Sequence, residues 1–250
     1  MKRSNIALGF CHLVGNALLL WLGYYWLGLD ESDATHLAWS ATVILIFVCG
    51  ALWLHGTAMA MFNLEHEWGF GQAAAVALRR LLPLLVLTVV VLCIYGLLSY
   101  WHDSFQHKAF VIGSYATMRL RRPVPPSGVM RVFGVFIWIL RWIVIPGLFI
   151  PLACEVVAHG WSGFRRTGLW RAKRPVWWLE ICALLLVAIL VPLKLVGWVP
   201  HLDHFPSQMV SFIVRLGVGY LLLVAGLLTL EFAASAGKPR WSQPSTVSSP

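Results

Sequence analysis

Among the groups in this sequence that could bind an ion or move a proton, a few lie inside apolar blocks long enough to cross a bilayer. Arg141, Lys194 and Arg215 fall in three successive blocks of the second half. His12, Asn16 and His55 fall in the first two. An ionisable side chain in hydrocarbon is costly, so it turns toward a bundle interior or a water-filled cavity and is a candidate for function by default.

The three cations point to anion binding. If the blocks are helices, Arg141 lies about 13 Å, Arg215 about 9 Å and Lys194 about 6 Å from the outer end, at a rise of about 1.5 Å per residue. Cations at similar depth repel one another and call for an anion, water, or outer acids such as Asp103 and Asp203. Glu155, Glu180 and Glu231 sit near the inner ends, too far along the axis to pair with them. The expected chemistry is a cavity for an anionic group such as a phosphate, with Arg141 as main ligand and Arg215 and Lys194 assisting. The plainer reading lets Lys194 and Arg215 snorkel to the interface. For Arg141 it is stacking of the guanidinium on Trp138 or Trp142. Ile145-Pro146-Gly147 and Pro151 follow Arg141 closely. Proline removes a backbone donor, and broken helices often line transporter sites.

His12 and Asn16 stand four residues apart, on one helical face. His55 lies about as deep as His12 when both are counted from the inner ends of their blocks. Blocks joined by a short loop are antiparallel neighbours, so a polar contact among His12, Asn16 and His55 is expected in the inner half. Helix-packing glue is its plainer reading. A proton or ligand relay is the sharper one, because imidazole titrates near physiological pH.

Outside the blocks, His36, His102, Asp103, His107, His201, Asp203 and His204 gather on the outer side. Imidazole with carboxylate suits a transition metal, but His102-Asp103-x3-His107 is not a zinc pattern: an HExxH helix would need Glu at Asp103 and His at Gln106. Interfacial histidine is the plainer reading. Glu65-His66-Glu67 is placed in a solvated linker. No G-x-S-x-G, Walker A or GxGxxG occurs. The five cysteines lie in apolar blocks and form no CxxC, so neither disulfides nor metal–thiolate sites are expected. No catalytic residue, cofactor or metal is assigned.

The elements that must position these groups are read from hydropathy. Charged residues make up only 12% of the 250-residue chain, against about 25% in soluble domains. Six apolar blocks stand out: Ile6–Leu29, Leu37–Phe62, Leu81–Trp101, Val132–Cys154, Trp178–Trp198 and Met209–Phe232. Each suits a spanning helix of about 20 residues. The expected fold is an all-α integral membrane protein, a bundle of about six transmembrane helices in one polytopic domain over residues 1–236. Residues 237–250, rich in Ser and Pro, are expected to be disordered. The first block is longer than the core of a cleaved signal and is read as a retained helix. Trp26, Trp39, Trp101, Trp177, Trp178 and Trp198 mark block ends, as in an interfacial aromatic belt.

The net charge of +9 comes from basic residues placed mostly between blocks. There they act as orientation signals, which argues against nucleic acid and for both termini in the cytoplasm. Residues 102–131 hold all the outer positive charge, and Phe105–Met118 is read as an interfacial helix followed by the extended Arg122-Pro123-Val124-Pro125-Pro126. A weak repeat pairs Gly69-Phe70…Arg79-Arg80 with Gly163-Phe164…Lys173-Arg174, each with eight residues between. Three functions remain open. The first is a transporter-like or lipid-interacting protein with an anion cavity in the outer half, whose partners are membrane lipid and an anionic small molecule or headgroup. The second is a non-catalytic membrane subunit or scaffold. The third is a metal-dependent membrane enzyme using the external His and Asp residues.

Overall fold

The computed structural model describes residues 2–30, 32–63, 68–165, 171–200 and 204–235, all helices and connecting turns. Six helical spans are long and apolar enough to cross a membrane: Asn5–Leu27, Ala34–Met61, Leu81–Leu120, Pro126–Phe164, Pro175–Gly197 and Phe205–Ser235. The chain is an all-α membrane bundle. Large apolar side chains such as Phe10, Leu18, Val89, Leu92, Ile213 and Leu221 stand exposed around the spans. Helices that are apolar on every side need lipid as their outer solvent.

The helices are α1 (Lys2–Leu27), α2 (Ala34–Met61), α3 (Phe70–Arg79), α4 (Leu81–Leu120), α5 (Pro126–Ile139), α6 (Ile145–His159), α7 (Pro175–Leu185), α8 (Val191–Gly197) and α9 (Phe205–Ser235). Six crossings bring the start of α1 and the ends of α2, α6 and α9 to one face, here called the base. Asp33 starts α2 by accepting the His36 N–H at 2.8 Å. α2 is central and packs against α1, α3, α4, α6 and α9. Near the base, Ala60, Ala73, Leu84, Leu87, Val156 and Val157 form a core shared by α2, α3, α4 and α6. Gly160, at φ +64°, turns the chain out of α6 and leaves room for the Arg80 side chain, which any Cβ there would meet.

The fourth and fifth spans are each interrupted by one π turn. Leu140–Val144 joins α5 to α6, and Leu186–Leu190 joins α7 to α8. In each, a backbone N–H reaches five residues back, Ile145 to Leu140 and Val191 to Leu186. Pro146 and Pro192 follow at the same spacing. A proline has no N–H for the carbonyl four residues before it, and the wider turn accommodates that loss without ending the span.

Three expectations need correction. Phe105–Met118 is no separate interfacial element but part of the unbroken 40-residue α4. Helix propensity continues after hydropathy falls, and Arg121, at φ 50°, ends the helix before the prolines. α5 returns antiparallel along this half, with Phe133 stacked on Phe105 at 3.7 Å and facing Trp101 and His102. The two Gly-Phe copies fold differently: Gly69 opens α3, whereas Gly163 lies inside a 3-10 turn packed on the Glu155 backbone. Trp177 is not an interfacial anchor. It is buried between α7, α6 and α9 and donates to Gly147 O at 2.8 Å. The expected tail, 237–250, lies outside the described residues.

Candidate functional site

The polar cluster in the base half is built from three helices. On α1, Asn16 Nδ2 donates to His12 O at 2.9 Å, one turn back, and stands 3.5 Å from His12 Nδ1. The approach of α2 depends on Gly15, where a Cβ would lie 2.9 Å from Leu54 Cδ2. With the helices this close, the His12 and His55 rings meet edge to face, centroids 5.3 Å apart. His55 Nδ1 is also paired with Glu231 Oε1 of α9.

Two further contacts hold α9 in place. The Tyr220 hydroxyl donates to Leu13 O of α1. One turn beyond Glu231, Ser235 Oγ donates to Met59 O at 3.4 Å, itself one turn beyond His55. Cys154 Sγ of α6 lies 3.5 Å from the same hydroxyl. A row of polar groups therefore runs from His12 through His55 and Glu231 to Ser235 and Cys154 at the base.

His12 is wholly buried, Asn16 and Glu231 are nearly so, and His55 is partly exposed. Donor atoms of His12, His55 and Glu231 all lie within 4.8 Å of one another. His12 Nε2 and Glu231 Oε2 are buried with no hydrogen-bond partner among the described residues. A buried polar atom without a partner costs free energy, and two of them, one on an imidazole and one on the carboxylate, fall in this one cluster. Two bases and an acid at this separation can share a proton or surround a cation.

Of the three predicted cations, the two arginines have separate partners. Arg141 donates from Nη2 to Ser99 Oγ of α4 at 2.7 Å, its own carbonyl accepts the Tyr95 hydroxyl, and its Nε is buried with no partner. Arg215 is buried and donates to Ser211 O at 3.1 Å and to Leu195 O and Val196 O at 3.3 Å. Its guanidinium caps carbonyls that the end of α8 leaves open, and it lies 6.0 Å from the Phe212 ring centroid. Lys194 is exposed beside an apolar cleft lined by Leu190, Leu195 and Trp198. Arg141 is thus bonded to α4 and Arg215 to α8, with no shared partner among the described residues.

The external histidines also have separate neighbours. His36 pairs with Asp33 at 2.9 Å, and hydrogen bonds from His36 hold the Asp33 carboxyl below its usual range. His102 lies parallel to Phe133. His201, Asp203 and Glu65-His66-Glu67 lie outside the described residues. Sequence reasoning brought His12, Asn16 and His55 together through matched depth and missed Glu231. Glu231 stands one residue from the inner end of its block, whereas His12 and His55 stand six and seven from theirs, so depth counted from block ends did not bring it to the pair. No protein-family profile, curated protein or solved structure matches this chain.

Proposed function

We propose that this chain is a transporter-like protein of the cytoplasmic membrane whose working site is the His12–His55–Glu231 cluster, where it takes up a cation, at the least a proton. The observation that carries this reading is the pair of unpartnered buried atoms, His12 Nε2 and Glu231 Oε2, beside the His55–Glu231 contact. Helix-packing glue alone would satisfy its polar atoms across the interface. Two features add support. Ser235 and Cys154 extend the polar contacts from the cluster toward the base. Two successive spans are interrupted by π turns and prolines, as helices that line transporter sites often are. The Lys/Arg distribution supports a base and both termini on the cytoplasmic side.

Proteoliposomes loaded with a pH-sensitive dye test the reading, with a chelator present throughout. An acid pulse is expected to acidify vesicles holding the wild-type chain faster than protein-free vesicles. Glu231→Gln is expected to remove most of the difference. Wild-type flux equal to that of empty vesicles overturns transport.

A second reading keeps the anion, now at Arg141 alone, because its Nε is buried and unpartnered. Lipid headgroup phosphate and an anionic small molecule share the chemistry that a guanidinium recognises. Arg215, whose Nε and Nη1 donate to backbone carbonyls, is left out of that site.

A further inference from the structure

We infer that His12, His55 and Glu231 form a binding site for one divalent transition-metal ion of the zinc type, in the membrane half next to the base. The inference rests on the reading of this cluster as a cation site and names the cation.

The donor set selects the metal. Two imidazole nitrogens and one carboxylate oxygen are borderline ligands that suit Zn, Cu, Fe or Ni. Magnesium and calcium need six or more oxygens around them, and the carboxylate of Glu231 is the one acid in the cluster. His2Glu is also the ligand set of catalytic zinc sites, which keep a fourth position open for water or substrate.

Geometry agrees. Metal–ligand bonds of about 2.1 Å at a tetrahedral angle place donors about 3.4 Å apart. The donor atoms here lie within 4.8 Å of one another, so modest side-chain rotations close the site. The free valences also point the right way. His12 Nε2 and Glu231 Oε2 have no hydrogen-bond partner, while the other nitrogen of the His12 ring faces Asn16.

Burial argues for an occupant as well. A carboxylate this deep needs a compensating charge. Cys154 and Ser235 stand one turn further toward the base, giving an ion soft and hard stepping ligands between the base and the cluster.

The test uses the full chain, purified in detergent, stripped with chelator and dialysed against Zn2+ or Co2+. One equivalent of zinc is expected per chain, with intense visible absorption from four-coordinate cobalt. His12→Gln and Glu231→Gln are expected to weaken binding at least tenfold. A combined His36→Gln, His102→Gln, His107→Gln variant is expected to retain it. Zinc-edge X-ray absorption of the wild-type protein is independent of any variant's folding. A shell of nitrogen and oxygen with two imidazoles supports the site, and an all-oxygen or sulfur-containing shell overturns it. Loss of zinc in the combined surface variant, or unchanged binding in both cluster variants, overturns it too. Proton flux from a chain that retains no zinc overturns the metal and leaves the cation reading. Zinc retained by a chain without flux supports the metal and overturns transport.

Discussion

Removing the His55 imidazole would leave Glu231 without its partner in a place that is 4% exposed. Breaking a buried ionisable pair by deleting one member costs about 3–5 kcal/mol, because the remaining group is left desolvated and uncompensated. The His55 side chain is 23% exposed, so water reaches one side of the contact, and we place His55→Ala at the lower end, about 3 kcal/mol. That is about two decades in the unfolding equilibrium, at about 1.4 kcal/mol per decade. Glu231→Gln keeps an acceptor for His55 and should cost less, about 1–2 kcal/mol. The double variant His55→Leu, Glu231→Leu removes both polar groups and should be more stable than His55→Ala, since an apolar pair of similar volume is often neutral. Unfolding of the purified protein in mixed micelles, followed by helical circular dichroism, gives these free energies and those of the single variants His55→Leu and Glu231→Leu, which close the cycle with the double variant. The expected coupling between positions 55 and 231 is about 1–3 kcal/mol. Additive effects within about 0.5 kcal/mol, the range seen for independent sites, would refute the claim that this contact carries a buried charge.

Gly226→Ala should destabilise by about 1–3 kcal/mol, the usual cost of overpacking, because its Cβ would lie 2.2 Å from Ala188 Cβ. Adding Ala188→Gly should restore most of the loss in a thermal melt. Arg141→Gln should reduce retention of anionic lipid in native mass spectra and leave expression intact; unchanged retention removes the second functional reading. The Asp33 carboxyl is held below its ordinary pKa by hydrogen bonds from His36. A depressed folded-state pKa means that its stabilisation is present above the unfolded value and is lost as pH falls through the folded one. Amide hydrogen exchange at Thr35–Leu37 should therefore accelerate in acid, and much less so in Asp33→Ala.

The six spans were legible because lipid demands long apolar runs, and such runs carry their own signal. α3 was not, because ten residues rich in alanine resemble a linker when hydropathy alone is read. The end of α4 was misplaced for a related reason. Hydropathy drops at His102 and reports a change of solvent, whereas the helix runs on to the left-handed Arg121. His12 and His55 could be matched from depth along two neighbouring helices. Glu231 could not, since its contact depends on how α9 is rotated about its axis, which is set by Tyr220, Gly226 and Ser235 against other helices. Arg215 read as a ligand because its burial was visible and its partners were not. They are carbonyls of α8, and backbone groups leave no trace in residue spacing.

The length of α4 has a practical consequence. Forty residues at about 1.5 Å each span about 60 Å, twice the roughly 30 Å hydrocarbon thickness. The half from His102 onward is backed by α5 and closed by Val124 N–H donating to Thr117 Oγ1 at 2.9 Å, and a hydrocarbon layer of that thickness that covers the first half leaves this one outside it. Small membrane proteins vanish into their detergent belt in electron micrographs. This one carries its own fiducial, and a binding module spliced between Arg121 and Pro126 would ride at the tip of that half, clear of the belt and far from the His12–His55–Glu231 cluster.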